Sequence, residues 1–215
     1  MITYQNQTSR FKNNTFALSL LKGRIGESVV ETYLLACGYQ VYPYGYENNY
    51  ANITRFVKKD QSDAITTKIR SMPDLLVCDR DNNELFLLQI KTTNTPDEAS
   101  FWIKKEDFES YVNYWAEALL VIFSIRTGKI YCLKIADIKN PKEAPLPGTS
   151  ENGFFLNLSD FHNFTKYFTS ITPDQYFKLN KEISNILNNF SPIIIKSKNK
   201  KISDVQAKMN LELSF

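Results

Sequence analysis

The sequence predicts a mixed α/β domain, a central β-sheet with helices packed on its faces. Three features predict it: an amphipathic run over residues 16–37, two apolar strands at 73–78 and 84–92 joined by turn residues, and a helical run at 105–116 leading into the wholly apolar ALLVIFSI. Alternating helix and strand signals of this kind build a sheet covered by helices.

The elements follow in order. Leu18, Leu21, Ile25, Val29, Tyr33 and Cys37 recur at three- and four-residue steps, and Gly38 then stops the helix. Gly38 to Tyr42 reads as a turn into a short strand, closed by Pro43 and Gly45. Residues 46–71 are polar and without period, which predicts a loop or irregular insertion with Asp63 facing solvent. The strand at 73–78 (PDLLVC) returns through Asp79-Arg80-Asp81-Asn82-Asn83 as ELFLLQIKT, residues 84–92. Both faces of these strands are apolar, so both should be covered. Phe108, Tyr111, Val112 and Trp115 form the expected stripe of the next helix, and Lys129 to Ile135 a last strand. Pro141, Pro145, Pro147 and Gly148 mark a loop, and residues 173–190 a C-terminal helix. The expected division is a core over 1–135 and an extension packed on it over 136–215.

Composition narrows the chemistry. The chain has 215 residues, enough for one well-buried domain with an extension. A net charge of +3 does not mark a nucleic-acid binder, so any basic patch must be local. The run Lys196, Lys198, Lys200 and Lys201 reads first as a solvated tail. No apolar stretch is long enough to span a membrane, and the first residues lack a secretion-signal core, so a cytoplasmic protein is expected. Cys37, Cys78 and Cys132 sit far apart in apolar segments and read as buried, reduced thiols. His162 is the sole histidine, which removes most histidine-based zinc and nucleophile chemistry. Carboxylates and lysines remain.

Those residues concentrate at one place. With the hairpin centred between Asp81 and Asn82, Asp74 falls opposite Gln89, and Gln89 and Lys91 share its face. Each buried polar group needs a partner, and a shared divalent metal and water would satisfy this trio. Aspartate oxygen is a hard ligand for Mg2+ or Mn2+. The Gln89 amide oxygen and the Ile90 carbonyl are further oxygen donors, and Lys91 can orient a water or stabilise developing negative charge. Glu27, behind Gly23 and Gly26, is placed to reach the metal if its helix packs on the sheet through Ile25 and Val29. Thr92 and Thr93 could bond a phosphate, as could Lys68, Arg70, Lys104 and Lys105. Each of these residues also has an ordinary reading: a strand-start Asp74, a satisfied amide at Gln89, a strand-end lysine reaching water at Lys91, a solvated Glu27.

The pattern GxxGE (Gly23–Glu27), PD (Pro73-Asp74) and QxK (Gln89–Lys91) resembles the PD-(D/E)XK nuclease superfamily over roughly residues 16–135, and is similar to Holliday-junction resolvases and Mrr-type endonucleases. The resemblance implies a restriction-endonuclease-like core and Mg2+- or Mn2+-dependent cleavage of DNA phosphodiesters. It implies catalytic roles for Glu27, Asp74, Gln89 and Lys91, with the metal on Glu27, Asp74 and Gln89. Many relatives act as dimers, so a homodimer stays open. The departure from the usual form is Gln89, a neutral group where most members carry a carboxylate. Two other expectations therefore stand beside the nuclease: a binding module on the same fold that has lost catalysis, and an interaction protein working through residues 136–215.

Overall fold

A computed structural model describes residues 3–46, 63–94 and 100–185, apart from 148, 170, 173, 176, 179 and 184; over 3–18 it describes the helical backbone alone. Helix α1 runs Thr3–Ala36, and Gly38, at φ 90°, turns the chain into β1, Gln40–Pro43. Only glycine adopts that φ at low cost. Helix α2 follows at Ala64–Arg70, then β2 at Leu75–Asp79 and β3 at Glu84–Thr93. Strand β4, Ser100–Lys104, leads directly into α3, Lys105–Tyr114, and on to β5 at Leu119–Ser124 and β6 at Ile130–Lys134. Strands β7 (Lys142–Pro145), β8 (Asn152–Asn157) and β9 (His162–Asn163) complete the described strands.

Six strands form a mixed sheet in the order β1-β2-β3-β5-β6-β9, in which β3 and β5 are parallel and the other neighbours antiparallel. A second sheet of three strands, β4-β8-β7, is antiparallel. The mixed α/β class expected from the sequence is therefore the observed one. Every residue of β5 is buried, as its uninterrupted apolar run requires. One side of the large sheet (Leu88, Ile90, Val121 and Phe123) packs against Val30, Tyr33 and Leu34 of α1 and against Phe164 and Phe168. The other side (Leu120, Ile122 and Leu133) packs against Phe108 and Tyr111 of α3 and Phe101 and Ile103 of the small sheet.

The register of the β2–β3 hairpin is set at its turn. Asp79 accepts hydrogen bonds from the backbone N–H of Asp81 (3.0 Å) and Asn82 (3.1 Å) and from the Asn82 side chain (2.8 Å). Asn83 takes a positive φ of 54°, which asparagine tolerates better than most residues. Burial works to raise the Asp79 pKa, but the bonds from Asn82 and Asp81 outweigh it and hold the carboxyl below its ordinary range. A depressed folded pKa gives stability that is present above the unfolded value, near ~3.9, and lost as pH falls through the folded one. Asp79→Ala should lower unfolding free energy by about 1–2 kcal/mol at pH 7. In urea midpoints, the gap between wild type and variant should close as the pH drops below about 4. A gap constant from pH 7 to pH 2.5 would contradict this account of the turn.

Several expectations change. Residues 64–70, expected within a loop, are helical, and Asp63 is the cap, accepting from the Thr66 N–H at 2.9 Å; residues 47–62 of the same segment lie outside the described residues. Strand β7 lies where Pro141, Pro145, Pro147 and Gly148 marked a loop, and β4 and β8 lie where no element was expected. Val112, expected on the buried stripe of α3, is exposed, as is Leu21 on α1. Cys132 is buried, whereas Cys37 and Cys78 are only partly so; all three are free thiols. The chain beyond residue 135 supplies β8, which pairs with β4, and β9, which pairs with β6. The described residues between 174 and 185 are helical, and the remainder of the expected C-terminal helix and the lysine run lie outside the described residues. Among the described residues no helix is long and apolar enough to cross a membrane.

Candidate active site

The hairpin pairs Leu75 with Leu88, which puts Asp74 opposite Gln89, the register that the turn residues predict. The Asp74 N–H donates to the Leu88 carbonyl at 2.8 Å, and its own carbonyl accepts from Tyr44 N–H at 2.8 Å. The residue is thus anchored by its main chain at the mouth of β2. Its side chain is anchored too: Oδ2 accepts from Gln89 Nε2 at 2.7 Å and from the Ile90 N–H at 2.6 Å. Gln89 is buried, and Asp74 gives its amide the partner that burial demands. The Ile90 carbonyl leaves the strand on the same edge as its N–H, toward Asp74.

Lys91 extends the group toward α3. Side chains alternate along β3, so Gln89 and Lys91 project to the side covered by α3, while Leu88 and Ile90 project toward α1. Lys91 Nζ lies 3.6 Å from Asp107 Oδ2 and 5.4 Å from the centre of the Tyr111 ring. Its side chain as a whole remains 28% exposed. Burial pushes the Lys91 pKa down. The phenol of Tyr111 and the carboxylates of Asp107 and Asp74 overcome that penalty, and the net shift is upward. Lys91 is therefore an ammonium throughout the neutral range. Burial raises the Tyr111 phenol, against the pull of Lys91.

Of the four residues singled out in the sequence, Asp74, Gln89 and Lys91 come together on one side of the sheet. Glu27 comes from the other side. Helix α1 crosses β3 where Gly26 meets Thr92: a Cβ at Gly26 would stand 3.7 Å from Phe123 and would overlap the Thr92 methyl. Only glycine allows so close a crossing. Glu27 follows at once on α1, with its carboxylate 3.1 Å from Arg24 Nη1. Because α1 and the trio lie on opposite sides of the sheet, an approach to the trio would run around a strand end, not across the packed face.

The expected phosphate contacts fare unevenly. Thr92 turns its methyl to α1 and is not on the Lys91 side. Lys104 pairs with Glu151, just ahead of β8, and Lys105 with Glu143 of β7 at 2.8 Å. Lys68 lies over the Trp115 ring, whose Nε1 donates to Ser71 Oγ at 3.2 Å. Arg70 lines a cleft of about 520 Å³ between α2 and α3, together with Thr67, Ser71, Asp107 and Tyr111. Asp107 and Tyr111 were not legible as site residues. In the sequence they are a first-turn acid and one member of an apolar stripe, both ordinary in a helix.

No family model matches the chain, nor does any curated protein. Among solved structures, one described as a nuclease from a fusselovirus aligns over 79% of this chain and 93% of its own length, at 13% identity and a TM-score of 0.35. A likeness at that level carries no argument about function, and the case rests on the residues themselves.

Proposed function

We propose that this chain is a metal-dependent nuclease of the PD-(D/E)XK type, with a restriction-endonuclease-like core, acting on DNA phosphodiester bonds. The observation that carries the reading is the meeting of Asp74, Gln89 and Lys91 at one end of two neighbouring strands. A carboxylate, an amide and an ammonium there serve no packing purpose.

The donor set suits a hard divalent ion. Among the described residues no group of three His, Cys, Asp or Glu side chains could hold a metal on its own. Mg2+, however, commonly takes one or two carboxylates and draws its other oxygens from water and substrate phosphate. Asp74 and Glu27 would hold it, with the Gln89 amide oxygen and the Ile90 carbonyl as neutral donors. When bound, such an ion polarises a phosphoryl oxygen and makes a bound water more acidic. The remaining work falls to the chain. Gln89 Nε2 and the Ile90 N–H fix the orientation of the Asp74 carboxylate. Lys91, protonated at neutral pH, is not the base; its ammonium orients the attacking water and stabilises charge gathering on the phosphorane.

The test is cleavage of single-stranded, duplex and branched DNA with Mg2+ or Mn2+. Asp74→Ala should abolish cleavage while leaving the far-UV circular dichroism unchanged. Full cleavage by this variant would remove Asp74 from the site.

One observation favours a second reading, a binding module on the same fold. Asp74 Oδ2 already accepts two short hydrogen bonds, and Gln89 adds no negative charge. Titration with Mn2+ separates the two readings. Saturable binding at or below millimolar concentration supports the nuclease, whereas no binding, together with cleavage gained by Gln89→Glu, supports the module.

A further inference from the structure

We infer that Asp107 and Tyr111 are positioning residues that hold the Lys91 ammonium in its working place, so that α3 is a part of the site and not only its cover. The inference rests on the nuclease reading and adds residues that no sequence motif marks.

Lysine carries its charge on a flexible four-carbon stem with three rotatable donors. A catalytic ammonium left to itself samples many rotamers, and a displacement of about 1 Å can cost ~100-fold in rate. The usual restraint is a counter-charge nearby. Position 89, two residues back on the same strand and on the same face, is a neutral amide already committed to Asp74. The restraint comes from α3. Asp107 and Tyr111 are four residues apart, so they share one face of that helix. Both meet Lys91: the Asp107 carboxylate at 3.6 Å, and the Tyr111 phenol, whose ring centre lies 5.4 Å from Nζ.

Their own supports differ in a useful way. Tyr111 is buried, locked among Phe108, Ile103 and Leu133, so its hydroxyl is a fixed point. Asp107 is half-exposed at the first turn of α3, where a carboxylate also suits the helix dipole. A purely structural role would end there. The approach of both side chains to the one ammonium of the trio is what a packing role leaves unexplained. Both residues also line the cleft between α2 and α3.

The experiment uses the full chain, duplex DNA and Mn2+. For Asp107→Asn and Tyr111→Phe, kcat should fall by about 10-fold or more, with KM within about two-fold. Asp107→Glu should restore most of the rate. The pair Asp107→Asn with Lys91→Ala should be no slower than Lys91→Ala alone, because the positioning has nothing left to act on. Unchanged kcat in both single variants, a loss confined to KM, or additive losses in the double variant would overturn the inference while leaving the nuclease reading intact. A second readout needs no turnover. In 1H–15N spectra of lysine NH3+ groups, the Lys91 signal (assigned by its loss in Lys91→Arg) should be sharp in the wild type and broadened in Asp107→Asn. If the wild-type chain cleaves nothing yet shows that difference, the nuclease reading fails and the positioning stands. An identical Lys91 signal in wild type, Asp107→Asn and Tyr111→Phe overturns the positioning.

Discussion

Lys91→Ala is expected to reduce metal-dependent DNA cleavage by at least ~100-fold, the scale seen when a preorganised charge facing a developing oxyanion is removed. The side chain sits among Asp74, Asp107 and Tyr111, and two carboxylates and a phenol outweigh the burial that opposes its charge. Alanine removes the ammonium that offsets the Asp107 and Asp74 carboxylates. The added negative charge should tighten binding of cations, so the variant should hold Mn2+ at least as well as wild type while failing to cleave. Lys91→Arg is the sharper comparison. It keeps the charge but replaces a compact ammonium with a planar fork, and it should recover only a small part of the rate. Cleavage by Lys91→Ala within about three-fold of wild type, far short of that expected loss, would show that the lysine is an ordinary strand-end residue.

Phe123→Ala is expected to have the largest effect on stability, about 3–5 kcal/mol. Phe123 is fully buried in β5 and packs where α1 crosses the sheet at Gly26. Removing its ring opens a cavity beneath the crossing, between two backbones too rigid to collapse into it. A loss of that size is a large fraction of the 5–15 kcal/mol typical of a domain. The variant should unfold at a much lower urea concentration than wild type. Arg126→Ala, on the exposed turn after β5, should fall within about 0.5 kcal/mol of wild type as a control. A Phe123→Ala midpoint equal to that of Arg126→Ala would mean that the α1 crossing contributes little to the fold.

How much of this was legible in the sequence depends on the range of the interactions involved. The hairpin was legible in full, because the pairing of Asp74 with Gln89 follows from local alternation and from Asp79, Asp81 and Asn82 at the turn. The ALLVIFSI run announced a strand buried on both sides, and Leu119–Ser124 is one. The small sheet was not legible. Its strands are four to six residues long, and β4 pairs with β8 across some fifty residues of chain, as Phe101 does with Leu156. Gly153 interrupts any alternation because its backbone lies against the Ile103 carbonyl and leaves no room for a side chain. Helix α2 escaped because AITTKIR is under two turns and mostly polar; its one signal was Asp63, three residues ahead of Thr66. In the site, the strand residues were legible from spacing, whereas the approach of Asp107 and Tyr111 depends on how α3 lies on the sheet, which local pattern does not encode.

The two margins of the large sheet bear on how copies of this chain can meet. One margin is β1, four residues closed by Pro43, and the other is β9, two residues long. Proline offers no donor, and so short a rim gives a neighbouring chain few main-chain groups to zip onto. Strand-to-strand fusion, the common route to fibrils and to continuous intersubunit sheets, is therefore discouraged by the outline of the sheet itself. Among the described residues, the large sheet gives two copies of this molecule little main chain through which to pair.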